Sequence, residues 1–228
     1  HQPRTSPRRL AGILKARGIE GVILSSSGRA DTELEFDCDS FSIVALGDTI
    51  VKPKVNRVME YHFNNGVSLV RELLQLGYRK LGFVFNDEVQ RMHALRHKAA
   101  ALCHLDQVAS EARVPIFEYK KWSDRAFWDW YKEHRPEVVV SNRSAALEAL
   151  RRKKVAVPEE VGFAQLELVD ERESVAGMRT RFHLLGRAAV ELLVGQLHSR
   201  ELGAPAAPKT VKIEGSWHAG PTVRKMIR

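Results

Sequence analysis

Short apolar runs punctuate the chain at regular intervals. Gly21-Val22-Ile23-Leu24, Ser42 to Leu46, Leu81 to Phe85 and Glu137 to Val140 are each nearly continuous in hydrophobic residues. Strands buried on both faces of a parallel sheet read that way, whereas half-solvated strands alternate. Val161 to Leu168, after the Val157-Pro158 turn, is a further candidate. Thr210 to Gly215 alternates apolar and polar positions, as an edge strand does. Between these runs the period lengthens. Val70, Leu73 and Leu74 recur at helical spacing between Gly66 and Leu76, with Gly77 as a stop. Leu10, Ile13 and Leu14 do the same between Arg9 and Arg17, ahead of Gly18. Ala146, Leu147 and Leu150 precede a basic cluster at 151–154. Leu185, Ala188, Ala189, Leu192, Leu193 and Leu197 outline an amphipathic helix of about four turns. This alternation predicts an α/β fold with parallel sheets and crossover helices.

With 228 residues, 44% of them hydrophobic, the chain can bury one large domain or two small lobes. It contains no run of eighteen apolar residues, so no membrane span is expected. His1 to Arg9 is polar and basic and lacks the apolar stretch of a secretory signal. Cys38 and Cys103 lie far apart and outside any Cys-x-x-Cys pair, which suits reduced thiols in the cytoplasm. The formal charge of +8 favours anionic partners in general. The positive residues are dispersed, however, in the pairs Arg8-Arg9, Arg79-Lys80 and Arg224-Lys225 and the run Arg151 to Lys154. Cations in such places complement helix C-termini or stay solvated, so charge alone does not decide function.

Signatures of catalysis are missing: no Gly-x-Ser-x-Gly elbow, no Gly-x-x-x-x-Gly-Lys loop and no Gly-x-Gly-x-x-Gly after a strand. Neither an enzyme nor a cofactor is expected. Among nine histidines, His93 and His97 form the one i,i+4 pair. A metal site needs a third ligand and usually a carboxylate, and Glu88 is a distant candidate. The pair therefore reads as a solvated helix face, with no metal. Asp37 and Asp39 flank Cys38 in a polar loop and read as solvated too. Trp122, Phe127, Trp128, Trp130 and Tyr131 crowd into ten positions. Phe127, Trp130 and Tyr131 keep helical spacing and belong in a core. Trp122 sits beside Ser123-Asp124, a helix N-cap pattern. Its face suits either stacking on a sugar ring or shielding the core edge, and spacing does not choose between them.

Several stretches resemble the lactose-repressor/galactose-repressor family in order and spacing. Arg17-Gly18-Ile19-Glu20-Gly21-Val22-Ile23-Leu24 is similar to its helix-to-strand signature, and LLQLGYRKLGFV at 73–84 to its "HL..LGHR.IA.I". Val157-Pro158-Glu159-Glu160-Val161 resembles "VP.DV", Leu184 to Ala189 the late "LG..A" helix, and Gly220 to Arg224 the terminal segment. The likeness covers nearly the whole chain.

The resemblance implies a periplasmic-binding-protein-like type I fold of two Rossmann-like lobes with parallel sheets and three crossovers. One lobe would take residues 1–80 and 173–202, the other 81–172 and 203–228. It implies the effector-binding and dimerisation part of a bacterial transcription regulator, cytoplasmic and homodimeric, with a sugar or related small molecule in an interlobe cleft. Operator DNA would be bound only through an N-terminal helix-turn-helix head that this sequence does not include. A solute-binding protein of a sugar transporter is the alternative on the same fold.

Ligand positions carry over one at a time. Tyr61 and His62 fall where the family places polar residues on the first lobe. Arg91 lies near its sugar-holding arginine, Trp122 with Ser123 at its stacking tryptophan, and Asn142 at the asparagine of "ND..A". Arg143 stands in place of the next aspartate, Glu167 in place of the aspartate after the "V.G[FY]" strand, and Thr180 where glutamine is frequent. Arg91 and Arg143 would favour an anionic ligand such as a sugar acid or sugar phosphate. Alternatively, Arg143 and Glu167 would pair with one another.

Overall fold

The computed structural model of the protein describes residues 6–169 and 174–226. In chain order the elements are α1 (Pro7–Ala16), β1 (Gly21–Leu24), β2 (Thr32–Glu33), β3 (Ser42–Leu46), β4 (Ile50–Lys52), β5 (Asn56–Glu60) and α2 (His62–Gln75). Next come β6 (Leu81–Asn86), α3 (Asp87–Met92), α4 (Arg96–Gln107), β7 (Phe117–Tyr119), α5 (Asp124–His134), β8 (Val138–Ser141) and α6 (Ala145–Arg152). The chain continues with β9 (Gly162–Leu168), β10 (Ala176–Arg179), α7 (Phe182–Ser199), β11 (Thr210–Ile213) and β12 (Ser216–His218). Four of the apolar runs are interior strands (β3, β6, β8 and β9), as expected of sheets covered on both faces, whereas Gly21–Leu24, expected to be buried, is the edge strand β1 with Ile23 exposed.

Two compact units form, His1–Glu60 with Arg181–Ile213, and Tyr61–Thr180 with Glu214–Arg228, so the chain passes between them three times. The first crossing falls at Glu60/Tyr61 instead of after residue 80. Helix α2 packs on α4, β9 and β10, and so belongs to the second unit. The last falls at Ile213/Glu214 instead of after residue 202, because β11 pairs with β5 in the first unit.

In the first unit the sheet order is β1-β3-β5-β11, parallel throughout. Strand β3 serves both faces. Ile43 and Ala45 pack with Ala11 and Leu14 of α1 and with Phe36 and Phe41, whereas Val44 and Leu46 pack with Leu185, Ala189 and Leu192 of α7. Cys38 is buried in the α1-side cluster, while Asp37 and Asp39 are exposed, so the polar loop presents its acids and hides its thiol.

The second unit holds a six-stranded sheet, β12-β10-β9-β8-β6-β7, parallel except for the β10/β12 pair. Phe83, Phe85, Val138, Val140 and Leu166 face α2 and α4. Val84, Val139, Phe163 and Leu168 face α5 and α6, where Phe127 and Trp130 fill the core. Leu166 and Leu168 thus lie on opposite sides although two residues apart. Gly177 and Arg179 of β10 pair with Gln165 and Leu168 of β9, so β9 carries one extra residue there. Such a bulge resets the alternation of side chains. The C-terminal segment closes this unit. Thr222 Oγ1 accepts from the Ala176 N–H (2.8 Å) and donates to the Phe163 carbonyl (2.7 Å). Tyr78 is buried and its hydroxyl accepts from the Arg224 N–H.

Candidate functional site

In open α/β sheets, ligands bind beyond the carboxyl ends of the strands. In the second unit those ends carry Asn86, Asn142 and Glu167. Asn142 is buried, its Oδ1 accepts from the Asn86 N–H (3.0 Å), and its amide nitrogen reaches back to the Asn86 carbonyl. It therefore stitches the ends of β6 and β8. Glu167 is turned by the β9 bulge toward the α2/α4 side of the sheet.

Three imidazoles meet it there. Glu167 Oε1 lies 2.9 Å from His62 Nδ1, 3.2 Å from His93 Nδ1 and 3.8 Å from His97 Nε2. The His62 side chain is 7% exposed and that of His97 fully buried, while His93 and Glu167 keep 16% and 15%. One side of the cluster is thus reachable from solvent. His97 rests edge-on to both other rings, at centroid distances of 5.1 and 5.3 Å.

Local backbone brings the rings together. His62 opens α2, and His97 is the second residue of α4. His93 does not share a helix with His97. It caps the C-terminus of α3, and Ala94 and Leu95 then take left-handed φ values of 47° and 59° before α4 begins. For residues bearing a Cβ this conformation costs about 1–2 kcal/mol each. Strain of this kind persists where surrounding structure fixes it, and it concentrates at functional sites. The solvated i,i+4 face expected of His93 and His97 is overturned: the chain turns between them, and both point inward. The carboxylate that meets them is Glu167, and the third imidazole is His62; Glu88 is exposed.

Burial pushes the His93 pKa down to about 4 against the pull of Glu167, with His62 and Arg143 lowering it further. His97 lies well below its usual range, again chiefly through burial, with His62 and His93 adding to it. Both rings are neutral at pH 7, the form in which imidazole carries a lone pair for a cation. Both nitrogens of His97, and Nδ1 of His93, are buried without a hydrogen-bond partner. The four donor atoms lie within 4.8 Å of one another, a set that could hold a metal ion.

The other expected contact residues are spread more widely. Tyr61 is half-buried at the N-terminus of α2. Thr180 is buried, with its N–H on the Leu168 carbonyl. Arg143 is exposed just after Asn142, its N–H held by Ser141 Oγ. Arg91 is exposed on α3, beside a shallow hollow lined by Asp87, Lys98, Glu118 and Lys120. Trp122 packs edge-on to Phe117 and Tyr119 and tilted over Phe127. Its indole N–H donates to Asp124 Oδ1 at 2.6 Å. The Arg152 guanidinium and that indole N–H together hold the Asp124 carboxyl below its usual range. Ser123 caps α5 as the sequence predicts, its Oγ accepting from the Ala126 N–H.

The fold and this polar end of the sheet define a periplasmic-binding-protein-like module. The periplasmic binding protein-like domain family matches residues 70–223, and the chain belongs to it. Among solved structures, a LacI-family transcriptional regulator protein from Rhizobium etli is similar at 13% identity and TM-score 0.72, over 96% of this chain and 83% of that one. A periplasmic binding protein/LacI transcriptional regulator from Alkaliphilus metalliredigens, complexed with D-xylulofuranose, reaches TM-score 0.64 at 15% identity, covering 95% and 84% of the two chains. A LacI family transcriptional regulator from Enterococcus faecium with bound ribose gives 0.63 at 13%, over 97% and 85%. No curated protein matches the sequence.

Proposed function

We propose that this chain is the effector-binding and dimerisation part of a bacterial transcription regulator, and that its effector is a sugar or sugar-derived molecule. One observation carries the reading: a pair of α/β units joined by three crossings, matched to the family over residues 70–223, whose second sheet ends in converging polar side chains. Similar folds in the Alkaliphilus and Enterococcus proteins hold D-xylulofuranose and ribose. Tyr61, His62, Arg91, Trp122, Asn142, Arg143, Glu167 and Thr180 are the proposed contacts, with Arg91 and Arg143 favouring a carboxylate or phosphate on the sugar. Effector binding would control operator DNA by favouring one of two states, with coupling of about 1–3 kcal/mol. Dimerisation is supported by α7, which exposes Val190 and Val194 one turn apart.

A thermal-shift screen over neutral sugars, sugar acids and sugar phosphates tests the proposal, since a ligand that binds only the folded state raises the melting temperature. One sugar class is expected to do so, and less strongly in Trp122→Ala. A flat response across all three classes overturns the sugar reading, and an unchanged response in Trp122→Ala removes Trp122 from the contact set.

A further inference from the structure

We propose that His62, His93, His97 and Glu167 form a binding site for one divalent transition-metal ion, with Zn2+ its best-matched occupant. The donor geometry is the first support. Around a tetrahedral zinc with bonds of about 2.05 Å, neighbouring donors stand about 3.3 Å apart. The three nitrogen-to-oxygen separations, 2.9, 3.2 and 3.8 Å, bracket that value.

A hydrogen-bonded network without an ion accounts poorly for the same arrangement. Three rings converge on a single carboxylate oxygen, and His97 keeps two buried nitrogens with no hydrogen-bond partner. Native interiors rarely leave such groups unsatisfied. Two backbone irregularities build the cluster: the left-handed Ala94-Leu95 turn aims His93 and His97 at one point, and the extra residue in β9 brings Glu167 to the same side. Bulges commonly re-aim a side chain beside a functional site.

Donor chemistry selects the ion. Hard Mg2+ and Ca2+ take oxygen shells. Three imidazoles and one carboxylate suit zinc and its neighbours in the first transition row. His62 and His97 sit at helix N-termini, whose partial positive charge works against a cation, but that effect is small beside four direct bonds and the carboxylate charge.

The test uses the protein prepared without a polyhistidine tag and stripped by chelator. Zn2+ and Co2+ are titrated by calorimetry, and the Co2+ form is read by visible absorption. One equivalent per chain and the intense bands of four-coordinate Co2+ are expected. His93→Ala and Glu167→Gln are each expected to weaken Zn2+ binding on the order of 100-fold, consistent with loss of a direct ligand when supporting residues alone are worth 10–100-fold. Less than one equivalent, a six-coordinate Co2+ spectrum, or unchanged affinity in a folded variant overturns the site. The last outcome would place the ion on surface histidines. If both variants fail to fold, the Co2+ spectrum of the unsubstituted chain decides. The ion and the sugar fail separately: a sugar response without metal binding removes only the metal site, and metal binding without a sugar response removes only the sugar reading.

Discussion

The rings of His62 and His93 lie face to face, with centroids 4.2 Å apart and planes within 12°, and both direct Nδ1 at the same oxygen of Glu167. Parallel imidazoles aimed at one acceptor compete for it as hydrogen-bond donors; to share a cation, which binds near the plane of each ring, the two rings must turn out of this stack. His97 completes the set from beneath, sealed from solvent. The energetics of this corner should therefore depend on whether a metal is supplied.

His97→Leu separates the two states. Leucine removes two buried nitrogens that lack partners, each carrying a penalty of about 1–3 kcal/mol, at a packing cost usually below about 1.5 kcal/mol. In chelator, its urea midpoint should equal or exceed that of the unsubstituted chain. Zinc at a hundred times its dissociation constant should then stabilise the unsubstituted chain by about 2.7 kcal/mol and leave the variant unmoved. A marked loss of stability in chelator would contradict this account of His97.

Gly66→Ala tests the cluster from a distance. A Cβ at Gly66 would stand 2.7 Å from the Ala100 Cβ, closer than methyl groups approach, so α2 and α4 must separate. His62 lies one turn before Gly66 and His97 about one turn before Ala100, so the ligands move with the helices. Overpacking of this kind costs about 1–3 kcal/mol, and zinc affinity should fall about tenfold for a ligand displacement of this size. The double variant Gly66→Ala/Ala100→Gly should recover most of both, as measured by urea unfolding and calorimetry.

Ala94→Gly should stabilise the protein, an unusual outcome for glycine. Left-handed backbone costs alanine about 1–2 kcal/mol, while glycine's extra chain freedom costs about 0.5–1 kcal/mol. Ala94 is exposed, so little burial is lost with its methyl. A gain of up to about 1 kcal/mol, or about 2–4 °C in melting temperature, is expected by calorimetric scan. A drop of that size would show the turn to be unstrained.

Thr222→Val removes a buried hydroxyl that serves two strands at once. The Phe163 carbonyl would lose this donor and the Ala176 N–H this acceptor, at about 1–3 kcal/mol for each group. Thr222→Ser keeps the oxygen and should stay within about 1 kcal/mol, most of it the lost methyl. Urea midpoints of the two variants give the comparison.

Much of this architecture was legible in the chain. Ser42–Leu46 and Gly21–Leu24 read as buried strands because neither face needs a polar residue; both are strands over those residues, but only Ser42–Leu46 is buried, since Gly21–Leu24 lies at the sheet edge. The Thr210 alternation marked an edge strand, which β11 is. Strands β5, β7 and β10 escaped notice because they are short and mix charged with apolar positions. The site was half legible. His62 and Glu167 stand out separately in the sequence, but the spacing of His93 and His97 suggests one continuous helix with a solvated face. Nothing in Ala94-Leu95 announces a left-handed turn, since neither is glycine or asparagine. The partners lie 31 and 70 residues away from His93 and His97 respectively, and only the sheet brings them close. One signal was available: histidines within an otherwise well-packed second unit, next to a glutamate at the end of an apolar strand.

Strand β9 is one residue longer than its neighbour across the Gln165–Leu168 stretch, and that surplus decides on which side of the sheet a carboxylate emerges. Were alternation to run unbroken from Leu166, Glu167 would face the α5/α6 layer and the three imidazoles would lose this carboxylate. The chemistry of this corner therefore hinges on strand length as much as on residue identity, and relatives should be compared by aligned length at this point before their side chains are compared.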